Sequence, residues 1–113
     1  MVSPAAAVVK RGEIWLAALD PTIGGEIQKT RPCLIVSPDE LNLNLRTVIV
    51  APMTTGSRPA PFRVPIRFQG KHGLVLPDQM RILDRRRLVR RLGAARPATL
   101  NAALTVLREL FGE

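Results

Sequence analysis

Apolar residues recur at helical spacing near the end of this chain and not before it. In "PATLNAALTVLREL" (residues 97–110) and the residue that follows, four large apolar side chains lie about one helical turn apart: Leu100, Leu104, Leu107 and Phe111. Pro97 suits the first turn of a helix, and Gly112 follows the last periodic residue as a stop signal. The sequence therefore predicts one closing amphipathic helix, and the residues before it must fold differently.

The segments before this helix are short and apolar, and turn residues bound them, as is typical of β-strands. "TVIVAPM" (residues 47–53) is the clearest strand, because its β-branched residues form a run too short for a helix. "GEIWLAAL" (12–19) and "PCLIVSP" (32–38) are two more. The prolines of the latter restrict it to a sheet edge or to strand ends, unless other elements cover it.

The following segments continue the strand pattern. "PFRVPIRF" (61–68) alternates apolar and basic residues, which predicts a half-exposed strand with a basic outer face. "KHG" (71–73) is interpreted as a turn into "LVLPDQMRILD" (74–84), in which Pro77 marks a bulge or break. "DRRRLVRR" (84–91) is interpreted as a turn and a short strand with a solvated basic face.

These elements predict a mainly β fold with a C-terminal helix. Short strands closed by one helix are typical of a small, strongly bent β-barrel or sheet with the helix packed on it. A chain of 113 residues is one domain. We expect that domain to span residues 9–113, after a flexible N-terminal extension over residues 1–8.

Composition narrows the functions that the chain can carry. Seventeen Lys and Arg against nine Asp and Glu leave a net charge of +8, which attracts polyanions such as nucleic acid or an acidic protein tail, although it also serves solubility. One histidine, one cysteine and no cluster of acids at ligand spacing argue against a metal site. Neither a P-loop nor a dinucleotide-binding motif is present. An enzyme built from this chain would work without metal or cofactor.

The single cysteine, Cys33, excludes an internal disulfide and lies in an apolar run, so we interpret it as a buried hydrophobic residue. His72, between Lys71 and Gly73, is interpreted as a solvated loop residue. No apolar stretch approaches the roughly 18 residues of a membrane span, and no secretion signal is recognised. These observations favour a cytoplasmic protein.

Arginine and threonine beside strand ends remain as candidates for chemistry. Arg31 precedes Pro32, so its backbone is extended, and it follows a glycine-containing charged loop. Thr54 and Thr55 follow the clearest strand and precede a "GSRPAP" loop. On these residues alone, the chain presents a basic, strand-built surface for RNA or DNA.

Four blocks, in order, resemble the MazF/PemK family of toxin endoribonucleases: "KRGEIWLAALDP", "GGEIQKTRPCLIVSP", "VIVAPMTT" and "GLVLPDQMRILD". The resemblance extends from about Val9 to the terminal helix. It implies an SH3-like β-barrel, a two-fold homodimer, and metal-independent, sequence-specific cleavage of single-stranded RNA. It also implies a cognate antitoxin, and we expect the antitoxin's acidic, disordered tail to cover the basic groove.

The resemblance also implies roles for individual residues. Arg31 corresponds to the principal catalytic arginine and Thr54 to the catalytic threonine. Glu26 corresponds to a glutamate that matters in some members, and we interpret it either as the base for the RNA 2′-OH or as a solvated loop charge. Asp78 and Gln79 correspond to positions where members of the family contact bases. They could instead stabilise the bulge or break in the strand at Pro77. The expected RNA-binding set is completed by residues beside these: Lys29, Thr30, Thr55, Ser57, Arg58 and Arg81.

Two alternatives use the same fold. Toxins that poison DNA gyrase share it, and a catalytically silent RNA-binding module could share the charge. A cation beside a hydroxyl favours RNA cleavage, because a gyrase poison needs no phosphate-binding pair. "IQKT" before Arg31 and a short, proline-rich loop after Thr55 depart from the common pattern, so they leave the preferred RNA sequence open. With one Trp, three Phe and no Tyr, base-stacking platforms must be few.

Overall fold

The structure is a computed structural model that describes residues 8–20, Gly24 and residues 29–112. Short 3₁₀ turns lie at Pro77–Gln79 and Arg85–Arg87. The strands and helices, in chain order, are β1 (Glu13–Ala18), β2 (Thr30–Ile35), α1 (Asp39–Asn44), β3 (Thr47–Thr54), β4 (Val64–Phe68), β5 (Lys71–Val75), β6 (Arg81–Asp84), β7 (Leu88–Ala94) and α2 (Pro97–Phe111).

Strand β3 is the centre of the antiparallel sheet that the described strands form. The strand order is β4-β5-β3-β2-β1-β7, and β6 pairs with β3 outside this path. On one side β3 pairs with β2; on the other it pairs first with β6, over residues 47–50, and then with β5, at Met53 and Thr54. The sheet is strongly curled into a half-barrel, and Gly93 on β7 lies against Phe68 on β4, the strands at the two ends of the strand order.

The buried apolar residues form two core clusters. One of them includes Trp15, Cys33 and Val50. The second includes Ala103 and Val106 of helix α2, together with sheet residues such as Leu34 and Ala51. The predicted architecture, a mainly β fold with a C-terminal helix packed on it, is confirmed. The predicted extension over residues 1–8 lies almost wholly outside the described residues, so its flexibility stays a prediction.

The prolines of the second strand are tolerated because of where pairing begins. β2 is an interior strand, between β1 and β3, so it is not an edge strand, and the exception that the prediction allowed, cover by other elements, applies. Pro32 pairs with Leu16 on β1, but pairing with β3 starts only at Cys33. Pro38 follows the end of β2 and caps α1. Each proline thus lies outside the ladder that joins β2 to β3.

Two predicted boundaries in the fourth and fifth strands are wrong. β5 begins at Lys71, so "KHG" is part of a strand, and His72 is an exposed strand residue rather than a loop residue. The turn lies two residues earlier in the chain than predicted, at Gln69 and Gly70. The φ angles of these residues, 51° and 75°, suit a two-residue hairpin turn. β4 begins at Val64 rather than at residue 61. The break predicted at Pro77 is confirmed as a 3₁₀ turn, and so is the turn and strand after Asp84.

Helix α1 was not predicted from the sequence, because tertiary hydrogen bonds rather than an apolar pattern hold it. Asn42 is buried and donates from Nδ2 to the Ser37 carbonyl at 3.0 Å, while the Ser37 hydroxyl donates to Asn42 Oδ1 at 2.5 Å. The Asp39 carboxylate accepts a bond from the Arg11 backbone N–H at 2.7 Å. Among the described residues, no helix is long and apolar enough to cross a membrane.

Cys33 lies in the core, as predicted. Its side chain has no exposed surface, and burial raises the pKa of the thiol from 9.0 to about 12, although the nearby Arg81 and Arg31 oppose this rise. The fold therefore favours the neutral thiol. The cysteine behaves as a small apolar residue and not as a nucleophile.

This burial predicts a loss of stability at alkaline pH. The unfolded thiol ionises near pH 9 and the folded one only near pH 12, so the thiol's contribution is fully present below pH 9 and is lost as pH rises from 9 to 12. We expect the free energy of unfolding in urea to fall more steeply between pH 9 and pH 11 for the wild-type protein than for Cys33→Ala. The sequence has no tyrosine to mask the effect. Equal slopes in the two proteins would contradict this account of Cys33.

Candidate functional site

The register of β2 and β3 brings the two strongest candidate residues together. Cys33 is opposite Pro52 in this antiparallel pair. The pairing of β2 with β3 ends at this position, and beyond it Arg31, near the start of β2, and Thr54, the last residue of β3, line the same cleft. Side chains that line one small cleft are close enough to act on one bound group. The chain therefore builds a cation and a hydroxyl at the same end of the sheet from segments more than twenty residues apart.

A cleft of about 230 Å³ opens at this end of the sheet. The polar groups on its wall include two cations, Arg31 and Lys71, and no carboxylate among the described lining residues. Such a cleft favours anions, because two basic side chains lie on its described wall. The residues that line it are Arg31, Pro32, Met53, Thr54, Thr55, Ile66, Phe68, Gln69, Lys71, Gly73 and Leu74.

Thr54 is held rigidly in the cleft wall. Its side chain is nearly buried, and its Oγ1 accepts a hydrogen bond from the Gly56 backbone N–H at 3.1 Å. A threonine hydroxyl has one proton to donate and two lone pairs to accept with. Because Oγ1 already accepts from Gly56, the hydroxyl proton is oriented away from that bond and can be donated to a bound anion.

Gly73 allows β5 to approach Thr54 closely. A Cβ atom at position 73 would lie 2.8 Å from the Thr54 carbonyl oxygen and 3.6 Å from Thr55 Cγ2. The first distance is shorter than any side chain can keep from backbone. The absence of a side chain at Gly73 thus sets the spacing between β3 and β5, and with it the position of Thr54.

Of the lining residues, Arg31, Thr54 and Thr55 were predicted from the sequence; those that were not include Phe68, Gln69 and Lys71. They surround the tip of the hairpin between β4 and β5, where the turn was predicted two residues too late. A glycine after a polar residue, as in "FQGK", is a signal for a two-residue turn that would have placed them correctly. The hairpin brings Lys71 to the cleft, whereas the sequence analysis gave this residue no role.

The other predicted phosphate contacts flank the cleft without lining it. Lys29 and Thr30 are exposed at the start of β2, beside Arg31. The Lys29 backbone N–H donates to the Asp20 carboxylate at 2.9 Å, and its φ of 67° is left-handed. Ser57 and Arg58 belong to the loop after β3. Thr55, by contrast, lines the cleft. Contacts of these residues with a ligand stay predictions.

Asp78 and Arg81 have hydrogen-bond partners within the protein. The Asp78 carboxylate forms an ion pair with the Arg63 guanidinium at 3.3 Å, and Arg63 also donates to the Arg58 carbonyl at 3.2 Å. Arg63 therefore links the loop after β3 to the 3₁₀ turn that contains Asp78. Arg81 donates to the Leu19 carbonyl at 2.9 Å, which joins β6 to the end of β1. Gln79 is half-buried on the same 3₁₀ turn as Asp78. These contacts support the loops around the cleft.

Glu26, the third predicted catalytic residue, lies outside the described residues, so its place relative to Arg31 stays a prediction. Over the described part of the chain, His, Cys, Asp and Glu side chains do not come together in groups of three or more that could hold a metal ion. The groups that the cleft offers are therefore guanidinium, ammonium, hydroxyl and amide.

Comparisons with known sequences show where the chain belongs. The family described as "PemK-like, MazF-like toxin of type II toxin-antitoxin system" matches residues 10–111. The Escherichia coli endoribonuclease PemK is 46% identical over 81 residues, 67% of this chain and 61% of PemK, so the match spans less than two thirds of that relative. The Staphylococcus epidermidis endoribonuclease MazF is 33% identical over 91 residues, 75% of this chain and 76% of MazF.

Solved structures agree with the sequence comparison. MazF from Deinococcus radiodurans superposes with a TM-score of 0.85 at 29% identity, covering 95% of this chain and 99% of that one. A mycobacterial endoribonuclease solved in complex with its cognate antitoxin superposes with a TM-score of 0.77 at 28% identity, covering 92% and 95% of the two chains. Sequence and fold thus agree, and this chain belongs to the PemK-like, MazF-like family of toxins of type II toxin-antitoxin systems.

Proposed function

We propose that this protein is an endoribonuclease toxin that cleaves single-stranded messenger RNA at specific sequences, without a metal ion. The observation that carries the proposal is that Arg31 and Thr54 line one cleft together with a second cation, Lys71. A relative that shares 46% identity is named an endoribonuclease, which supports the same class of reaction.

The proposed reaction uses a nucleophile that RNA itself supplies. The ribose 2′-OH loses its proton, and O2′ forms a bond to the adjacent phosphorus. The bond from phosphorus to O5′ of the next nucleotide breaks, and O5′ takes up a proton. The products are a 2′,3′-cyclic phosphate and a 5′-OH. The protein has to align the attack, move two protons and stabilise the extra negative charge on the phosphorane.

The cleft residues match these requirements. The planar guanidinium of Arg31 donates two parallel N–H bonds to two phosphate oxygens. A charge that is preorganised in this way is often the largest contribution to the rate enhancement of an enzyme. Thr54 donates its hydroxyl proton to a phosphate oxygen, since Gly56 already occupies one of its acceptor sites. Glu26 is the proposed base for the 2′-OH. An arginine side chain stays protonated, so charge stabilisation rather than proton transfer is the role that we assign to Arg31.

Lys71 supplies a second cation, which we assign to a phosphate next to the scissile one. Replacing Lys71 with methionine should weaken RNA binding and reduce the slope of log K against log salt concentration by about 0.7, the value for one contact to a single strand. Fluorescence anisotropy with a non-cleavable 2′-deoxy oligonucleotide measures this slope. Arg67→Met is the matched control, because Arg67 is exposed on the same hairpin but does not line the cleft. Equal slopes for the two variants would contradict the assignment.

We further propose a homodimer and an antitoxin that blocks the cleft with an acidic segment. The mycobacterial structure described above is a complex of an endoribonuclease with its cognate antitoxin. The +8 charge and the two cations of the cleft favour an acidic segment as the inhibitor. Messenger RNA as substrate would place the action of the protein in the cytoplasm.

The test is incubation of the purified protein with a mixed single-stranded RNA in EDTA. We expect discrete fragments from the wild-type protein and none from the Arg31→Ala, Thr54→Val double variant. Absence of cleavage by the wild-type protein, or equal cleavage by the double variant, would overturn the proposal. Inhibition of DNA gyrase without RNA cleavage would assign the protein instead to the toxins of the same fold that act on gyrase.

A further inference from the structure

We propose that the cleft binds one unstacked nucleobase beside the scissile phosphate, with Phe68 as its platform and Gln69 at its edge. This inference rests on the proposed function, because the phosphate between Arg31 and Thr54 fixes where the base must lie. It gives a role to cleft residues that the catalytic step does not use.

The wall of the cleft carries both polar and apolar side chains. Arg31, Thr54 and Lys71 supply the charged and hydroxyl groups, whereas the large apolar side chains belong to Met53, Ile66, Phe68 and Leu74. A phosphate needs only the polar groups. Cations and apolar side chains on the wall of one small cleft suit a ligand that has a charged group and a flat, weakly polar group, which describes a nucleotide.

The size of the cleft suits a single base. Its volume is about 230 Å³, below the roughly 300–1,000 Å³ of clefts that enclose drug-sized ligands. A base inside a duplex cannot enter, because it would have to leave its stack and its partner. The cleft therefore selects single-stranded RNA by shape, before any hydrogen bond to the base is made.

Phe68 is held in place as a platform by the strand behind it. A Cβ atom at Gly93, on β7, would lie 3.2 Å from Phe68 Cε1 and 3.3 Å from Cζ, so the ring packs directly on the glycine. Phe68 remains half-buried and lines the cleft. Stacking on an aromatic ring binds any base and is a main source of affinity for single strands. Within the described residues that line the cleft, Phe68 is the aromatic one.

Gln69 is placed to read the edge of the stacked base. It follows Phe68 directly, at the first position of the hairpin turn, and its φ of 51° is left-handed. Its amide offers both a donor and an acceptor, the pattern that glutamine uses to recognise base edges. Lys71, two residues on, contributes the cation for the neighbouring phosphate. The tip of one hairpin thus provides three contacts for a nucleotide: Phe68 stacks on the base, Gln69 hydrogen-bonds to its edge, and Lys71 binds the neighbouring phosphate.

The experiment maps the cut site first and then removes bases around it. In a series of RNAs, each nucleotide flanking the cut is replaced in turn with an abasic ribonucleotide, and kcat/KM is measured for each. We expect one abasic position to cost the wild-type enzyme roughly 10-fold or more. Phe68→Ala should lose about as much on the intact RNA, yet lose little further at that abasic position. Gln69→Ala should keep the requirement for a base and accept a wider range of bases there.

The controls separate this inference from the proposed function. Phe62→Ala removes an exposed phenylalanine that lies just before the same hairpin and outside the cleft, so it should behave as wild type. Phe68→Leu keeps an apolar side chain without a ring and replaces Phe68→Ala if that variant fails to fold. Wild-type cleavage with the same abasic penalty in both Phe68 variants would overturn the base site while leaving the endoribonuclease proposal intact. No cleavage by the wild-type protein would overturn both.

Discussion

Replacing Arg31 with alanine should slow RNA cleavage by about 10²- to 10³-fold while leaving the fold intact. Arg31 lines the same cleft as Thr54 and is half-buried, so part of its side chain is already packed before the substrate arrives. A charge that is already oriented stabilises the phosphorane without the cost of rearranging around it. Single-turnover rates on a defined RNA, measured with saturating enzyme, separate this chemical step from binding.

Arg31→Lys is the informative companion. A lysine keeps the positive charge but cannot donate two parallel hydrogen bonds from a planar group. We therefore expect its cleavage rate to lie between those of the wild-type protein and Arg31→Ala. Thermal unfolding should show similar midpoints for all three proteins, because Arg31 lies at the end of β2 rather than in the core. If Arg31→Ala cleaves within a few-fold of the wild-type rate, the guanidinium is not the group that stabilises the transition state.

Gly73→Ala should damage both stability and activity, although it adds only one methyl group. The new Cβ atom would lie 2.8 Å from the Thr54 carbonyl oxygen, so β3 and β5 must separate. We expect overpacking of this kind to cost about 1–3 kcal/mol of unfolding free energy. Displacing Thr54 should also slow cleavage by about 10²-fold, since small misplacements of catalytic groups have effects of that size. Urea unfolding and single-turnover cleavage measure the two effects.

Gly56→Ala is the matched control for this prediction. It adds the same methyl group beside the same threonine, but the nearest atom, Thr54 Oγ1, would be 3.8 Å away, an ordinary contact distance. The backbone N–H that donates to Thr54 also survives the substitution. We therefore expect Gly56→Ala to stay close to wild type. If the two alanine variants behave alike, the close approach of β5 does not position Thr54.

The fold could be predicted from the sequence wherever local pattern and tertiary position agree. The β-branched run of β3 and the helical spacing of α2 are such cases, and both elements lie where they were expected. Helix α1 could not be predicted, because the buried bonds between Ser37 and Asn42 hold it and neither residue belongs to an apolar pattern. The turn at Gln69 and Gly70 was placed two residues late because "KHG" also contains a glycine.

The residues of the candidate site could likewise be predicted only where a local sequence pattern marks them. Arg31 and Thr54 are recognisable because each lies beside a clear apolar run, and the pairing of β2 with β3 then brings them to one cleft. For Phe68 and Lys71 the only local signal is the turn in "FQGK"; the turn predicts a hairpin, but the fold as a whole brings that hairpin to the cleft. Gly73 is likewise an ordinary glycine in the sequence, and its role depends on the distance to a neighbouring strand.

The central claim is that the protein uses the RNA 2′-OH as nucleophile at the Arg31–Thr54 cleft. The most direct test is a DNA oligonucleotide that carries a single ribonucleotide on the 5′ side of the mapped cut, incubated with the protein in EDTA. We expect cleavage at that nucleotide only, with a 2′,3′-cyclic phosphate and a 5′-OH identified by mass spectrometry, and no cleavage of the all-DNA strand. Equal cleavage of the all-DNA strand, or a product that carries a 5′-phosphate, would contradict it.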